Sequence, residues 1–156
     1  MAARGTDRPV ALDPIAKAIV EQLQEDGRRS YADIGKRVGL SEAAVRQRVQ
    51  KLTDTGVLQI VAVPDPSRLG FPRQAMIGIR VSGDVREPAD RLAALPEVDY
   101  VVVTAGTFDL LVEVVCEDDD ALVELLNSQV RTLPGVVSTD TFVYLKHRKR
   151  FHDWTA

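Results

Sequence analysis

Val38-Gly39-Leu40-Ser41-Glu42-Ala43-Ala44-Val45-Arg46-Gln47-Arg48-Val49-Gln50-Lys51-Leu52 decides the reading of this chain. A glycine that can stop one helix stands two positions before a serine that can cap the next, and Leu40 between them is placed to staple against Val45. Two helices joined by so short a turn make a helix-turn-helix. At about 100° per residue, Val45, Val49 and Leu52 fall on one arc and face the core. The opposite arc presents Ala43, Arg46, Gln47 and Gln50.

These side chains suit the major groove of double-stranded DNA. Arginine can donate bidentately to guanine and glutamine to adenine, and alanine leaves room for a thymine methyl. Ser41 at the start of the helix, with Lys36, Arg37, Arg48 and Lys51 flanking the face, supplies donors for phosphates. The plainer alternative is a solvated polar helix face; the short turn and the caps beside it favour DNA.

Upstream, Asp13-Pro14 is a helix start, with Ile15, Ile19 and Leu23 on one face and Asp26-Gly27 as its end. Ser30 and Asp33 are spaced as a capping box for a second, short helix that turns Ile34 and Val38 inward. Downstream of Gly56, the alternation from Val57 to Val63 predicts a short strand or wing, which makes the domain winged-helix-like. Pro64-Asp65-Pro66-Ser67-Arg68-Leu69-Gly70-Phe71-Pro72 then interrupts any helix. The chain therefore divides into a DNA-binding domain (1–63), a linker (64–73) and a second domain (74–156).

In the second domain, Ala75–Val81, Pro88–Leu95, Val98–Thr104, Leu110–Cys116, Asp118–Leu133 and Val136–Lys146 alternate as βαββαβ. That order predicts a ferredoxin-like, four-stranded antiparallel sheet with two helices on one face, in an α+β chain. Val101-Val102-Val103, Leu110-Leu111-Val112 and Val114-Val115 are apolar on both faces, so the second face needs a cover. RNA, another domain or a second copy could supply it. RNA modules of this topology stack bases on aromatics from central strands, whereas these strands are aliphatic, with Tyr100 the nearest exception and Phe108 in a turn. Self-association, as a homodimer or a higher oligomer, is the simplest cover.

The 156 residues are 45% hydrophobic and 28% charged, a compact soluble composition. The net charge of −3 hides an asymmetry: residues 1–63 carry 10 Lys/Arg against 8 Asp/Glu, and residues 64–156 carry 10 against 15. A single cysteine, Cys116, excludes an internal disulfide and an intrachain Cys-based zinc site, consistent with a reducing cytoplasm. Cys116 reads as a small buried hydrophobe, and Glu117-Asp118-Asp119-Asp120 as helix-start carboxylates complementing a dipole. His147 and His152, in the basic run to Arg150 and close to Trp154, have no obvious third metal ligand; the tail fits subunit contacts or a weak electrostatic contact with DNA. Residues 1–12 lack the apolar run of a signal peptide, and the near-apolar stretch Leu110–Cys116 falls far short of a membrane span. Without a nucleophile motif, Gly-rich phosphate loop or acid/base pair, no enzyme activity, cofactor or metal is expected.

The N-terminal motifs, Leu12-Asp13, Asp26-Gly27-Arg28-Arg29-Ser30, Val38-Gly39-Leu40-Ser41, the run Val45 to Leu52 and Gly56-Val57-Leu58, resemble the leucine-responsive/asparagine regulator (Lrp/AsnC) family of bacterial and archaeal transcription factors. Ala16 stands where that family usually has an acidic residue and Gly35 where it usually has alanine. Leu95-Pro96-Glu97-Val98, Thr104-Ala105-Gly106-Thr107-Phe108-Asp109, Leu133-Pro134-Gly135-Val136 and Thr139-Asp140-Thr141 resemble the family's effector (RAM) domain. The resemblance implies a small-molecule effector, often an amino acid, bound between dimers near the turn of Gly106, Thr107, Phe108 and Asp109. Physically, such a turn can offer N–H groups to a carboxylate and Asp109 to an ammonium; equally, Asp109 can cap its own turn, with Gly106 supplying a permissive φ. The rival reading is an effector-binding or architectural assembly protein that has lost specific DNA recognition.

Overall fold

A computed structural model describes residues 11–148, which form two units, 11–62 and 63–148. The readings of residues 1–10, Lys149, Arg150, Phe151, His152 and Trp154 lie outside the described residues.

The first unit is three helices, each started by a side chain. Asp13 Oδ1 accepts from the Ala16 N–H at 2.7 Å, and Pro14 opens α1 (Pro14–Glu25) where its missing N–H costs nothing. At α2 (Tyr31–Val38), the Ser30 hydroxyl accepts from the Asp33 N–H at 3.1 Å and donates to Asp33 Oδ2 at 2.7 Å, so the box closes on the hydroxyl. Gly39 ends α2 at φ 72°, a left-handed conformation that costs glycine little. Ser41 caps α3 (Glu42–Asp54) by accepting from the Ala44 N–H at 3.2 Å. Ile19, Leu23, Ile34, Val45 and Val49 form the core, with Leu40 and Leu58 packed against it.

Both departures from the family pattern are accommodated. Ala16 is buried in the first turn of α1. Gly35 is buried as well, and a Cβ there would stand 2.5 Å from the Leu40 carbonyl oxygen. The turn is closed by the Leu40 N–H donating to the Gly35 carbonyl at 2.9 Å.

The expected strand or wing at Val57–Val63 is absent. The N–H groups of Val57 and Leu58 both donate to the Leu52 carbonyl, after which Ile60, Val61 and Val63 are exposed on irregular backbone. Alternation supplies a strand's side chains but not its hydrogen-bonding partner, and no segment among the described residues pairs with this one. Beyond it, Asp65 caps a single 3₁₀ turn, Pro66–Leu69.

The second unit is the expected βαββαβ. Strands β1 (Arg73–Val81), β2 (Val98–Val103), β3 (Leu110–Cys116) and β4 (Val136–Val143) form an antiparallel sheet in the order β2-β3-β1-β4. Helix α4 (Arg86–Ala93) follows β1. The second helical run, expected from Asp118 to Leu133, is α5 (Asp119–Glu124) widening into a π-helical turn, Leu125–Val130. Asp118 caps α5 by accepting from the Ala121 N–H at 2.8 Å, and Arg73 pairs with Asp119. One sheet face, with Ala75, Ile77, Ile79, Leu110, Val112 and Val114, packs on Leu92, Leu122, Leu125, Leu126 and Val130 from the helices. Among the described residues no helix is long and apolar enough to cross a membrane.

The register sets the composition of the opposite face. Met76 lies between Glu113 and Phe142, Gly78 between Leu111 and Asp140, and Val102 beside Leu111. Tyr100 and Phe142 on this face remain 50% and 52% exposed, a large apolar area without a cover from the unit's own helices.

Candidate nucleic-acid interface and effector turn

Helix α3 buries Val45, Val49 and Leu52, and so turns Ala43, Arg46, Gln47 and Gln50 together to solvent, with Ser41 exposed at its start. Arg46, Gln50 and Arg48 are each held by a neighbour. Glu42 Oε1 accepts from Arg46 Nη2 at 2.8 Å, one helical turn away, and the Arg46 guanidinium lies over the Tyr31 ring, 5.2 Å from its centroid. Gln50 donates to Asp54 Oδ1 at 2.8 Å. Arg48, half-buried at the edge of the face, donates to Asp13 Oδ2 at 2.7 Å.

That last contact gives Arg48 a structural duty. Asp13 caps α1 through one oxygen and ties down α3 through the other, and the Arg48 hydrogen bond, followed by the Ala16 N–H, holds its carboxyl below the usual carboxylate range. Lys36, Arg37 and Lys51 are exposed. Lys36 pairs with Asp33 at 3.2 Å, and the Ser30 hydroxyl, then Lys36, lower the Asp33 pKa.

In the second unit the turn from Gly106 to Asp109 departs from the reading in which Asp109 caps its own turn and Gly106 supplies a permissive φ. Gly106 does not have a positive φ, and a Cβ on it would meet nothing within 4 Å, so neither conformation nor crowding requires glycine there. Asp109 does not cap its own turn. Its Oδ2 accepts from the Val81 N–H at 2.7 Å, where the β1–β4 register shifts, while its own N–H donates to the Ile79 carbonyl at 2.9 Å. The turn is closed instead by Thr104, whose hydroxyl donates to the Phe108 carbonyl at 2.6 Å and whose N–H donates to the Asp109 carbonyl at 2.9 Å.

Phe108 lies back across Gly78, edge-on to Phe142 with centroids 6.2 Å apart and with the Arg80 guanidinium 6.0 Å from its ring. Gly106 and Thr107 are exposed, whereas Phe108 and Asp109 are half-buried. The four therefore share a turn but face different surroundings. On the same sheet face the Tyr144 phenol is pushed up to about 12 by burial and then by the Glu113 carboxylate.

The other candidates resolve simply. Burial, then Glu97 and Asp118, push the Cys116 thiol up, which suppresses the reactive thiolate. His147 meets Gln74 Oε1 at 2.9 Å and packs edge-on against Tyr144. No group of three metal-ligating side chains occurs among the described residues.

Tyr31, Glu42, Gly78 and Val81 were not singled out by sequence. The i, i+4 spacing of Glu42 and Arg46 was legible as an ion pair. The other three act across the fold, where spacing carries no signal.

The family model for the AsnC-type helix-turn-helix domain matches residues 12–53, and that for the Lrp/AsnC ligand binding domain matches residues 74–153. The chain belongs to the Lrp/AsnC family. Within it, the HTH-type transcriptional regulator FL11 of Pyrococcus horikoshii is 35% identical over 142 residues, covering 90% of this chain and 93% of that protein. The structure of Escherichia coli AsnC aligns with a TM-score of 0.81 at 26% identity, over 90% of this chain and 97% of that one. A transcriptional regulator of Neisseria meningitidis, solved as a complex with L-Met, aligns with a TM-score of 0.81 at 27% identity, over 91% and 95%. This Lrp/AsnC chain is thus a transcriptional regulator with a helix-turn-helix domain and a ligand-binding domain.

Proposed function

We propose that this regulator binds double-stranded DNA sequence-specifically through α3 and responds to an amino acid or a related small metabolite. The observation that carries the reading is the exposed arc of Ala43, Arg46, Gln47 and Gln50 opposite the buried Val45, Val49 and Leu52. On this reading Arg46, Gln47 and Gln50 face base edges, Ala43 meets a thymine methyl, and Ser41, Lys36, Arg37 and Lys51 bind phosphates. Arg48 divides its donors between Asp13 and a phosphate.

The open sheet face supports self-association, with a homodimer as the minimum unit: Met76, Leu111, Tyr100 and Phe142 form a surface that a second copy would cover. A two-fold dimer would set two reading helices on half-sites of a roughly palindromic sequence. The L-Met complex of the Neisseria regulator supports an amino acid as the effector; our reading puts it at residues 106–109, where the second carboxylate oxygen of Asp109 would take an ammonium. Such an effector shifts DNA affinity only as far as it distinguishes two assembly states. The site of action is the cytoplasm.

The test is fluorescence anisotropy on the protein's own upstream DNA and on a scrambled duplex, across salt, with and without a pool of amino acids. Preference that survives rising salt, and that shifts with the pool, is the expected result; equal, salt-labile binding to both duplexes overturns specific regulation. Light scattering at micromolar concentration checks assembly, and a monomer there ends the dimer reading.

A further inference from the structure

We infer that Tyr31 and Glu42 are specificity-determining positioning residues, which hold Arg46 so that it rewards a base edge and not a phosphate. The inference rests on α3 reading DNA and goes beyond it, because neither residue lies on the exposed arc of Ala43, Arg46, Gln47 and Gln50.

Arginine carries five donors on a planar fork, and pairing with guanine O6 and N7 requires two of them in parallel. On an open helix surface the long side chain samples many rotamers, and its charge is attracted to any nearby phosphate. Two neighbours restrain Arg46. The Tyr31 ring lies under its guanidinium at 5.2 Å, which holds the charged end over one spot. Glu42 accepts from Nη2 at 2.8 Å and so tethers one edge of the fork, leaving further donors for a partner. The two restraints come from different helices across the turn, Tyr31 from the start of α2 and Glu42 from the first turn of α3.

The carboxylate has a second effect. Glu42 offsets part of the Arg46 charge, so a stray phosphate contact by Arg46 gains little, while a base edge with two acceptors in the right geometry still gains directed hydrogen bonds. Specificity is a difference of affinities, and a group that weakens the wrong complex raises it as surely as one that strengthens the right complex.

The experiment uses the full-length protein, a duplex enriched from a random pool by wild-type protein, and a scrambled duplex of the same composition. The readout is the ratio of the two dissociation constants, with thermal melts to check folding. Glu42→Gln is expected to tighten binding to the scrambled duplex and to lower the ratio about two- to fivefold. Tyr31→Leu is expected to lower the ratio about as much by weakening the enriched duplex alone, and Tyr31→Phe, which keeps the ring, to restore the wild-type ratio. In an Arg46→Ala background, Tyr31→Leu and Glu42→Gln should change the ratio no further, a coupling that loss of helix stability would not produce. If Arg46→Ala collapses the ratio while Glu42→Gln and Tyr31→Leu leave it intact, the positioning inference is overturned and base reading stands. If Arg46→Ala leaves the ratio intact, both fail.

Discussion

Phe108 lies across Gly78 so closely that a Cβ on the glycine would stand 2.7 Å from the ring's Cγ and Cδ2. Gly78→Ala should therefore destabilise the second unit by about 1–3 kcal/mol, because the overlap exceeds what the loss of glycine's unfolded-state freedom returns. In a Phe108→Ala background the same substitution should be close to neutral. A double-mutant cycle in urea unfolding checks this, and additive effects would show that the ring gives way freely.

Gly35 sets helix propensity against packing. Alanine is favoured over glycine in a helix by about 1 kcal/mol, yet a Cβ at 35 would stand 2.5 Å from the Leu40 carbonyl oxygen, which is backbone and cannot rotate aside. Gly35→Ala is expected to be net destabilising and to loosen the α2–α3 turn. Amide hydrogen exchange should then quicken in α2 while β3 stays protected; greater protection in α2 would refute it.

Asp109 separates a structural role from a ligand role. Asp109→Ala leaves the Val81 N–H without its 2.7 Å acceptor and should cost about 1–3 kcal/mol. Asp109→Asn keeps an acceptor there but removes the charge, so its stability should stay near wild type. Loss of the anisotropy response to amino acids in the Asn variant would support an ammonium-binding carboxylate, and an undiminished response would exclude one.

Asp13 predicts an acid limb for the first unit. Its pKa is lowered in the folded chain by Arg48 and then by the Ala16 N–H, so folding favours the ionised form. Its contribution is full above the unfolded value of 3.8 and fades as pH falls from there through the lower folded value. Asp33 acts in the same direction in this unit, and Asp84, held at about 2 by Arg86, does so in the second. Asp13→Asn, which keeps a capping oxygen but not the charge, should make acid unfolding followed by circular dichroism less steep. An unchanged slope would mean that the Arg48 contact does not persist in solution.

Elements of local origin follow from residue order alone. Ser30, Gly39, Ser41 and Asp118 act on backbone within four residues, and the inward placement of Val45, Val49 and Leu52 follows from helical period, so the caps, the turn and the exposed arc on α3 were all legible. The order βαββαβ and the two-faced apolar strands were legible for the same reason. Tertiary structure decided whatever needed a partner far along the chain. Val57–Val63 has a strand's alternation but no neighbouring backbone to pair with. Asp109 binds β1 rather than its own turn, Phe108 rests on Gly78, Tyr31 carries Arg46, and Arg48 is drawn to Asp13. In each case the side chain's chemistry was visible in advance, but the nearest donor, ring or carbonyl was set by how the elements pack, and packing brings together residues whose separation along the chain carries no periodic signal.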